Sequence, residues 1–365
     1  MKILFISGAY PPMKCGVGDY TAFLASSLEK LSGVISGVLT SAEAEKCKKP
    51  PANFFPVVAG WNIRQAGPKL RATIEAFRPD IIHLQYPATY GRVLFPNFIP
   101  LMYNRKIPMV QTWHEHPIYT QFINAIPRDT VVVVDPRYPL EYRPVYRVAL
   151  RHKSFAFIPV GSSIQRAEVS ASDRIADRCR YNADTSRLVA CFGFARPYKG
   201  FEILFNALDP DKDRLVLMCD LDPDDPYHRG LLQLTETSLW QGKCFVTGYL
   251  PPEEVSRTLA AADAVVLPFA DGTTPRNTTV LAARVQGTFI VTTHTWLRGY
   301  IPSEHTYYVA PGDEEGIREA LDCYAGKRFD GEPCVASWDD IAVQHFKLYE
   351  RIIEGRHGTQ RELLR

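Results

Sequence analysis

The chain has 365 residues, 46% of them hydrophobic and 22% charged, with a net charge of +2 at pH 7. This composition is typical of a soluble globular protein, and the length predicts two domains rather than one. No apolar run approaches the roughly 20 residues that span a bilayer. The apolar start, residues 1–7, is too short for a signal peptide and predicts a buried strand.

Charge is distributed unevenly along the chain. Residues 1–165 carry 19 Lys and Arg against 10 Asp and Glu, a net +9, whereas the remaining residues carry 23 against 30, a net −7. The asymmetry suits two domains with different partners. The eight cysteines include no C-x-x-C pair, which predicts free thiols in a reducing cytoplasm and no metal site.

Apolar runs bounded by Pro, Gly or Asp predict strands in the first half of the chain. They are residues 2–7, 33–40, 80–86, 108–114, 130–135 and 154–160. Between them, residues 19–31 and 67–79 have the i, i+3, i+4 apolar spacing of amphipathic helices. This alternation predicts a mostly parallel sheet with helices on both faces.

The same alternation restarts after a polar stretch, 162–187, that predicts a linker. The expected strands are residues 188–194, 214–220, 243–249, 263–269 and 289–293. The expected helices between them are residues 200–208, 230–239, 251–262 and 279–287. We therefore expect an α/β protein with two Rossmann-like domains whose parallel sheets face each other across a ligand cleft.

The expected boundaries follow from these patterns. A first domain covers residues 1–165, a linker 166–186 and a second domain 187–340, with a final helix over 341–365 that returns toward the first domain.

The stretch "GAYPPMKCGVGDYTAFLAS", residues 8–26, follows the first strand and opens the first helix. Gly16 and Gly18 supply the G-x-G of a dinucleotide loop, but Thr21 stands where the third glycine belongs, so nicotinamide binding is a weak interpretation. The backbone amides of Gly16, Val17 and Gly18 are suited to an anion. A tight turn with positive φ explains the glycines equally well.

Eight motifs, in chain order over nearly the whole chain, resemble glycosyltransferase family 4. They are "PPMKCGVGDYTAFLASSL", "RPDIIHLQYP", "VQTWHEHP", "FIPVGSSI", "FGFARPYKGFEILFNAL", "FVTGYLPPEEVSRTLAAADAVVLPF", "VLAARVQGTFIVTT" and "SWDDIAVQHFKLYERII". The resemblance implies a GT-B fold and a retaining transfer from a nucleotide sugar that requires no metal. It also implies that the first domain binds the acceptor and the second the nucleotide, with Gly16 to Gly18 approaching the donor pyrophosphate.

The family's phosphate-binding arginine and lysine correspond to Arg196 and Lys199 in "ARPYKG". Lys199 matches the family pattern, whereas Phe194 follows Gly193 where the family has arginine, so Arg196 is an inferred substitute. Positive side chains of this kind stabilise the charge that develops on a leaving diphosphate. The alternative is a solvated pair that caps the following helix.

A second donor-binding segment is "ADGTTPRNTTVLAARVQG". Most of the family has two glutamates here, which commonly contact the sugar and the ribose. This chain has Thr274 and Ala282 at those positions and therefore lacks both acids. A subset of the family resembles this loop in its D-G…R pattern. On that basis the donor-binding candidates are Asp271, Gly272, Thr273, Thr274, Arg276, Asn277 and Thr278, with Gly248 in "TGYLPP". Asn277, Thr278 and Thr279 would open a helix onto the phosphates, or Asn277 and Thr278 would form a simple N-cap.

Three candidates lie in the first half. In the resemblance His114 of "TWHEHP" faces the transferred sugar as a catalytic residue, and Glu115 replaces the commoner aspartate on the acceptor side. His83, near the end of a predicted strand, is a further acceptor-side candidate. A histidine near a strand end is also commonly structural.

Two other clusters point elsewhere. "DLDPDD", residues 220–225, has the look of a metal-binding acidic motif, but Pro223 and its neighbours favour a loop, and we expect no metal. Arg143, Arg147 and Arg151 lie four residues apart on one expected helix face. They suit anionic lipid or a phosphate-bearing acceptor, or are a solvated face.

These patterns together predict a retaining glycosyltransferase that moves a sugar from a nucleoside-diphosphate donor to a hydroxyl of a glycan, lipid or small molecule. We expect no cofactor beyond the donor, no nucleic-acid partner, and a cytoplasmic location with peripheral membrane contact as an option. The alternatives are a nucleotide-sugar epimerase on the same fold and a non-catalytic sugar-nucleotide-binding partner.

Overall fold

The computed structural model of the protein describes residues 1–86, 94–116, 123–124, 126–127, 129–329 and 331–363, with the backbone alone at 149 and 356–363. The prolines that end "RPDIIHLQYP" and "VQTWHEHP", at 87 and 117, lie outside the described residues. The chain divides into two compact units. One comprises Met1–Gly161 with Ala336–Arg365, and the other comprises Ser162–Val335.

The first unit has a seven-stranded parallel sheet among its described residues. Its strands are β1 (Lys2–Ile6), β2 (Ile35–Ser41), β3 (Asn53–Val58), β4 (Ile81–Tyr86), β5 (Met109–Trp113), β6 (Thr130–Val133) and β7 (Ser154–Phe157). Its helices are α1 (Gly16–Glu29), α2 (Ile63–Phe77), α3 (Phe95–Tyr103), α4 (Tyr138–Glu141), α5 (Pro144–Leu150) and, at the end of the chain, α12 (Trp338–Leu363). The strand order is β3-β2-β1-β4-β5-β6-β7, with the direction of winding reversed between β1 and β4.

The edge strand β3 was absent from the sequence prediction. It contains Pro56, and a proline argues against a strand because it cannot donate to the ladder. The strand forms because β3 lies at the sheet edge and pairs only with β2, so Pro56 interrupts no second ladder.

The C-terminal helix α12 packs on α1 of the same unit. The indole of Trp338 stacks on Phe23, with ring centroids 5.3 Å apart and planes at 13°, and meets Tyr20 edge-on at 5.1 Å. A Cβ at Gly161 would come within 2.9 Å of the Trp338 ring, so only a glycine lets the backbone approach this closely. The final helix is therefore an integral part of the first unit's core.

The described residues of the second unit also form a seven-stranded sheet. Its strands are β8 (Arg187–Phe192), β9 (Asp213–Met218), β10 (Cys244–Val246), β11 (Ala264–Leu267), β12 (Ile290–Thr293), β13 (Gly299–Ile301) and β14 (Thr306–Val309). Its helices are α6 (Ala171–Cys179), α7 (Leu204–Ala207), α8 (Pro226–Thr235), α9 (Pro252–Ala261), α10 (Thr278–Val285) and α11 (Glu314–Tyr324). The order is β10-β9-β8-β11-β12-β14-β13, and only the β13–β14 pairing is antiparallel.

The polar stretch expected as a linker contains a helix, α6. Ser170 caps it, with a reciprocal bond between Ser170 and Asp173. Two ion pairs tie the helix to its own unit, from Arg178 to Asp263 at 2.7 Å and from Arg257 to Asp177 at 3.1 Å. Because these contacts are charged rather than apolar, the apolar pattern of the sequence did not reveal this helix.

The expected helix over 200–208 is shorter than the sequence indicated. Residues Phe201–Ile203 form a 3₁₀ turn, and α7 covers only Leu204–Ala207.

All eight cysteines are free. Within the described residues, every helix is too short or too polar to traverse a lipid bilayer.

Candidate functional site

The winding of the second sheet reverses between β8 and β11, and the loops that follow these two strands meet. The amide of Ala270 donates to the carbonyl of Tyr198 at 2.9 Å. Gly200, with a φ of +66°, lies so close that a Cβ there would come within 2.2 Å of the Pro268 carbonyl oxygen. In open α/β sheets this reversal is where ligands bind.

Lys199 lies in this junction as a half-buried cation. Its ammonium nitrogen is 4.6 Å from the centroid of the Phe269 ring. Burial lowers the pKa of Lys199 to about 8; the neighbouring Cys191 opposes the shift and the charge of Arg276 adds to it. Among the described residues no hydrogen bond or ion pair satisfies its nitrogen. An anion bound here would stabilise this charge.

Arg196 and Arg276 are both exposed. Arg196 lies three residues before Lys199 in sequence. Arg276 is distant in sequence, but its charge acts on Lys199. Arg196 occupies the position before the 3₁₀ turn Pro197–Lys199, where its side chain makes no capping bond. The alternative that Arg196 and Lys199 cap the following helix therefore has no support in their contacts. Of the two guanidinium groups, that of Arg276 adds positive potential at Lys199, since its charge contributes to the lowered Lys199 pKa.

Gly193 and Thr279 complete the surroundings of Lys199. Gly193 has a φ of +126°, and a Cβ there would lie 3.1 Å from Thr279 Cγ2 and 3.7 Å from Lys199 Nζ. Thr279 is 7% exposed, and its hydroxyl has no hydrogen-bond partner. A buried hydroxyl without a partner, beside a cation without one, is suited to donate to an anionic ligand. The sequence grouped Thr279 with the helix start but did not single it out.

The helix α10 begins at the same place without a side-chain cap. Asn277 occupies the N-cap position, but its Oδ1 accepts bonds from the amide and hydroxyl of Thr274, at 2.6 and 2.9 Å, and from the Thr273 hydroxyl at 3.3 Å. The simple N-cap is therefore not what forms. The first amides of α10 are left for another acceptor, and a helix N-terminus attracts an anion.

The other donor-binding candidates occupy different places. Asp271 is exposed, and Gly272, with a φ of +79°, packs against the loop after β12, where a Cβ would lie 3.2 Å from His294 Cα. Gly248, with a φ of +71°, follows β10, which two strands separate from β11. Gly248 thus lies on the same edge of the sheet but away from the Lys199 junction.

In the first unit, His83 is not available to an acceptor. It is fully buried in β4, and its two ring nitrogens bond to the Tyr349 hydroxyl and to Thr112 Oγ1, each at 2.7 Å. Burial lowers the pKa of His83 well below its usual value. The expectation that His83 faces an acceptor is corrected: α12 covers this end of β4, and His83 is a neutral core residue.

His114 follows β5 and is half-buried. Its Nε2 bonds to the Gln85 side chain at 2.8 Å, and its ring meets Tyr20 edge-on at 4.6 Å. The neighbouring Glu115 is exposed. Their backbone is held by the Tyr138 hydroxyl, which donates to the His114 carbonyl at 3.0 Å. Both residues thus lie at the carboxyl edge of the first sheet.

Gly16, Val17 and Gly18 form the first turn of α1, without positive φ. The tight-turn alternative is therefore not observed. A Cβ at Gly18 would come within 3.1 Å of the backbone of Ala9 and Tyr10, whereas Gly16 has open space. Burial raises the pKa of Asp19, in the same turn, to about 6.

The acidic cluster has a local role, and of the three arginines expected on one helix face, Arg147 lies within α5 whereas Arg143 and Arg151 flank it. Asp225 caps α8 by accepting from the amides of Tyr227 and His228, and Asp222 accepts from the amide of Asp224. Arg147 donates to the carbonyls of Tyr142, at 2.7 Å, and Leu140. No group of His, Cys, Asp or Glu in the described part of the chain is arranged to hold a metal ion.

No protein-family model matches the chain, and a search of curated proteins finds no match. Solved structures do match over almost the whole length. A sucrose-phosphate synthase from Thermosynechococcus elongatus has a TM-score of 0.74 at 17% identity, covering 97% of this chain and 100% of that one. Anabaena HepE, in complex with UDP and glucose, has a TM-score of 0.64 at 17% identity, covering 99% and 100%.

A further match is a putative UDP-N-acetylglucosamine 2-epimerase from Listeria monocytogenes, with a TM-score of 0.57 at 14% identity, covering 97% of each chain. Identities this low establish the fold alone. With two parallel-dominated sheets and this likeness to glycosyltransferase structures, the chain has the α/β GT-B fold.

Proposed function

We propose that this protein is a retaining glycosyltransferase of the family 4 type, which transfers a hexose from a nucleoside-diphosphate sugar to a hydroxyl of a glycan, lipid or small molecule. The observation that carries the proposal is the half-buried, unpaired ammonium of Lys199 beside the buried, unpaired hydroxyl of Thr279. A diphosphate supplies both the negative charge and the acceptor oxygens that these two groups lack.

The proposed chemistry follows from the charge that builds on the leaving diphosphate. Lys199, Arg196 and Arg276, with the first amides of α10, stabilise that charge without calling for a metal. Because Lys199, which packs on Phe269, and the α10 amides are in place before the donor binds, little reorganisation of these groups is needed as the bond to the sugar breaks. His114, at the carboxyl edge of the first sheet, is the candidate that faces the transferred sugar.

An epimerase is the second candidate, and the observation that favours it is the likeness to a structure described as a putative epimerase. A diphosphate clamp serves either reaction. The two are separated by their products, because a transferase releases a nucleoside diphosphate and an epimerase returns an intact nucleotide sugar. A non-catalytic partner binds the nucleotide and yields neither product.

The test is a thermal-shift series with UDP, GDP, dTDP and ADP and their hexose esters. A nucleotide at about 100 times its dissociation constant stabilises the protein by about 2.7 kcal/mol. We expect one base to stabilise the wild type and to lose its effect in Lys199→Ala. The matched control is Lys212→Ala, which removes an exposed lysine of the same unit and leaves the shift unchanged. The absence of a shift with every nucleotide contradicts the proposal.

We also propose that the basic surface formed by α4, α5 and the flanking Arg143 and Arg151 contacts anionic lipid. Its exposed apolar side chains, 59–71% accessible, are Leu140, Val145 and Val148. They alternate with the exposed arginines Arg143, Arg147 and Arg151. We expect sedimentation with vesicles that contain phosphatidylglycerol, but not with phosphatidylcholine alone. Val145→Asp with Val148→Asp abolishes this binding, whereas Ile175→Asp, at an exposed position of the second unit, does not.

A further inference from the structure

Trp296 differs from the other tryptophans of this chain. All five lie in the described part, and four are buried: Trp61, Trp113, Trp240 and Trp338, each at most 8% exposed. Trp296 is 68% exposed. Exposure of one aromatic ring is common and does not by itself indicate a binding site. Two further features matter for Trp296: how its loop is fixed, and which loop lies next to it.

The loop that carries Trp296 is fixed by its own side chains. After β12, His294 Nδ1 accepts from the amides of Trp296 and Leu297, at 3.3 and 3.1 Å, and its ring meets the indole edge-on at 4.7 Å. The guanidinium of Arg298 donates to the carbonyls of His294 and Leu297, at 2.7 and 2.6 Å. The indole therefore stands on a preorganised loop, which lowers the entropy lost when a ligand packs on it.

This loop is joined to the one that leads into α10. The amide of Thr273 donates to the carbonyl of Thr293 at 2.7 Å, and Gly272 lies against His294 and Thr295, each 3.2 Å from the position of a Cβ. In the sheet, β12 lies on one side of β11, and β8, β9 and β10 follow one another on the other side. A diphosphate at the β8–β11 reversal thus has the Trp296 loop on one side and the loops after β9 and β10 on the other.

The polar side chains of the Thr273–Asn277 turn are bonded to one another. Asn277 Oδ1 accepts from both threonine hydroxyls and from one amide. These two hydroxyls thus already have a partner within the turn, whereas the exposed indole offers a flat apolar surface beside it. One face of a pyranose ring consists of C–H groups. A tryptophan ring can pack on such a face while the polar edge of the indole remains in contact with water.

Resting on the proposed function, we infer that Trp296 is the stacking platform for the pyranose ring of the transferred sugar. This inference places the sugar toward β12 and the nucleoside toward the β9 and β10 side of the sheet. Trp296 therefore discriminates the sugar nucleotide from the free nucleotide, a role separate from that of the Lys199 clamp.

Iodide quenching of tryptophan fluorescence tests this without an assay of activity, because iodide reaches Trp296 and is excluded from the four buried rings. The probes are UDP against UDP-glucose, GDP against GDP-mannose, ADP against ADP-glucose and dTDP against dTDP-glucose, at saturation. For the base that binds, we expect the free nucleotide to leave the quenching constant unchanged and the sugar nucleotide to lower it severalfold. Equal quenching with both overturns the inference.

Variants supply the second measurement. Trp296→Ala weakens binding of the sugar nucleotide by roughly three- to tenfold, the range of an aromatic stacking contact, and leaves that of the free nucleotide unchanged. Trp296→Tyr restores most of the difference, and Leu239→Ala, at another exposed apolar position, has no effect. If a nucleotide binds but Trp296→Ala changes both affinities equally, the inference is wrong and the proposed function stands. If no nucleotide binds, both fail.

Discussion

The ammonium nitrogen of Lys199 lies 4.6 Å from the centroid of the Phe269 ring, and in the described residues no carboxylate pairs with it. Burial, chiefly, lowers its pKa from 10.5 to about 8. Since the protonated form is the one that attracts a diphosphate, an anion bound nearby raises this pKa again.

We therefore expect nucleotide affinity to be full below pH 8 and to fall as the pH rises through 8 toward 10, by at most about tenfold per unit. Isothermal titration calorimetry at pH 7, 8, 9 and 9.5 measures it. Lys199→Arg is the control, because an arginine stays charged across this range and makes the affinity independent of pH. A wild-type affinity that is constant to pH 9.5 contradicts the assignment of Lys199 to the clamp.

The contact between Gly200 and Pro268 predicts opposite effects for two glycine substitutions. Gly200→Ala forces a Cβ to 2.2 Å from a carbonyl oxygen at a φ of +66°, and we expect it to destabilise the protein by about 1–3 kcal/mol or more. Gly230→Ala lies inside α8 with open space around it, and should stabilise by about 0.5–1 kcal/mol. Urea unfolding measures both, and equal effects of the two changes would show that the loop junction is not packed as described.

The burial of His345 predicts that the free energy of unfolding depends on pH in the acidic range. It is buried between the hydroxyls of Tyr20, at 2.9 Å, and Tyr349, at 3.5 Å, and burial together with the charge of His114 lowers its pKa to about 3. The unfolded chain binds a proton near pH 6.5 that the folded chain does not, so stability decreases as the pH falls from 6.5 toward 3.

We expect His345→Gln to have a lower free energy of unfolding at pH 7 than the wild type and a shallower decline between pH 6.5 and 4.5. Asp19, whose pKa burial raises to about 6, acts in the opposite sense in both proteins and cancels in the comparison. Urea titrations at pH 6.5, 5.5 and 4.5 give the two slopes. Parallel slopes mean that His345 is not the group that titrates.

Gly161 predicts that the attachment of α12 is sensitive to one methyl group. A Cβ there would lie 2.9 Å from the Trp338 ring and 3.1 Å from Ile341 Cδ1. We expect Gly161→Ala to cost about 1–3 kcal/mol and to expose Trp338 to iodide. Gly16→Ala, which meets nothing within 4 Å, is the matched control in the same unit. Unchanged quenching in Gly161→Ala would show that the helix tolerates the methyl group.

The sequence alone determined the elements that are buried on both faces. Strands such as β4 and β11 are continuous apolar runs because a parallel sheet covered by helices excludes water from both sides. Their alternation with helices, and the eight motifs, predicted the fold. The resemblance of "ARPYKG" to the family motif gave Lys199, and Arg196 as an inferred substitute, as the phosphate-binding candidates.

Tertiary structure decided what each of these side chains does. His83 and His114 look alike in sequence, each near the end of a strand, but α12, more than 250 residues later, covers His83 and leaves His114 half-exposed. Spatial proximity of atoms decides three features of the site. They are the lowered pKa of Lys199, the Thr279 hydroxyl without a hydrogen-bond partner, and the turn whose hydrogen bonds Asn277 accepts. Burial and hydrogen bonding are properties of the packed chain, and residues distant in sequence supply them.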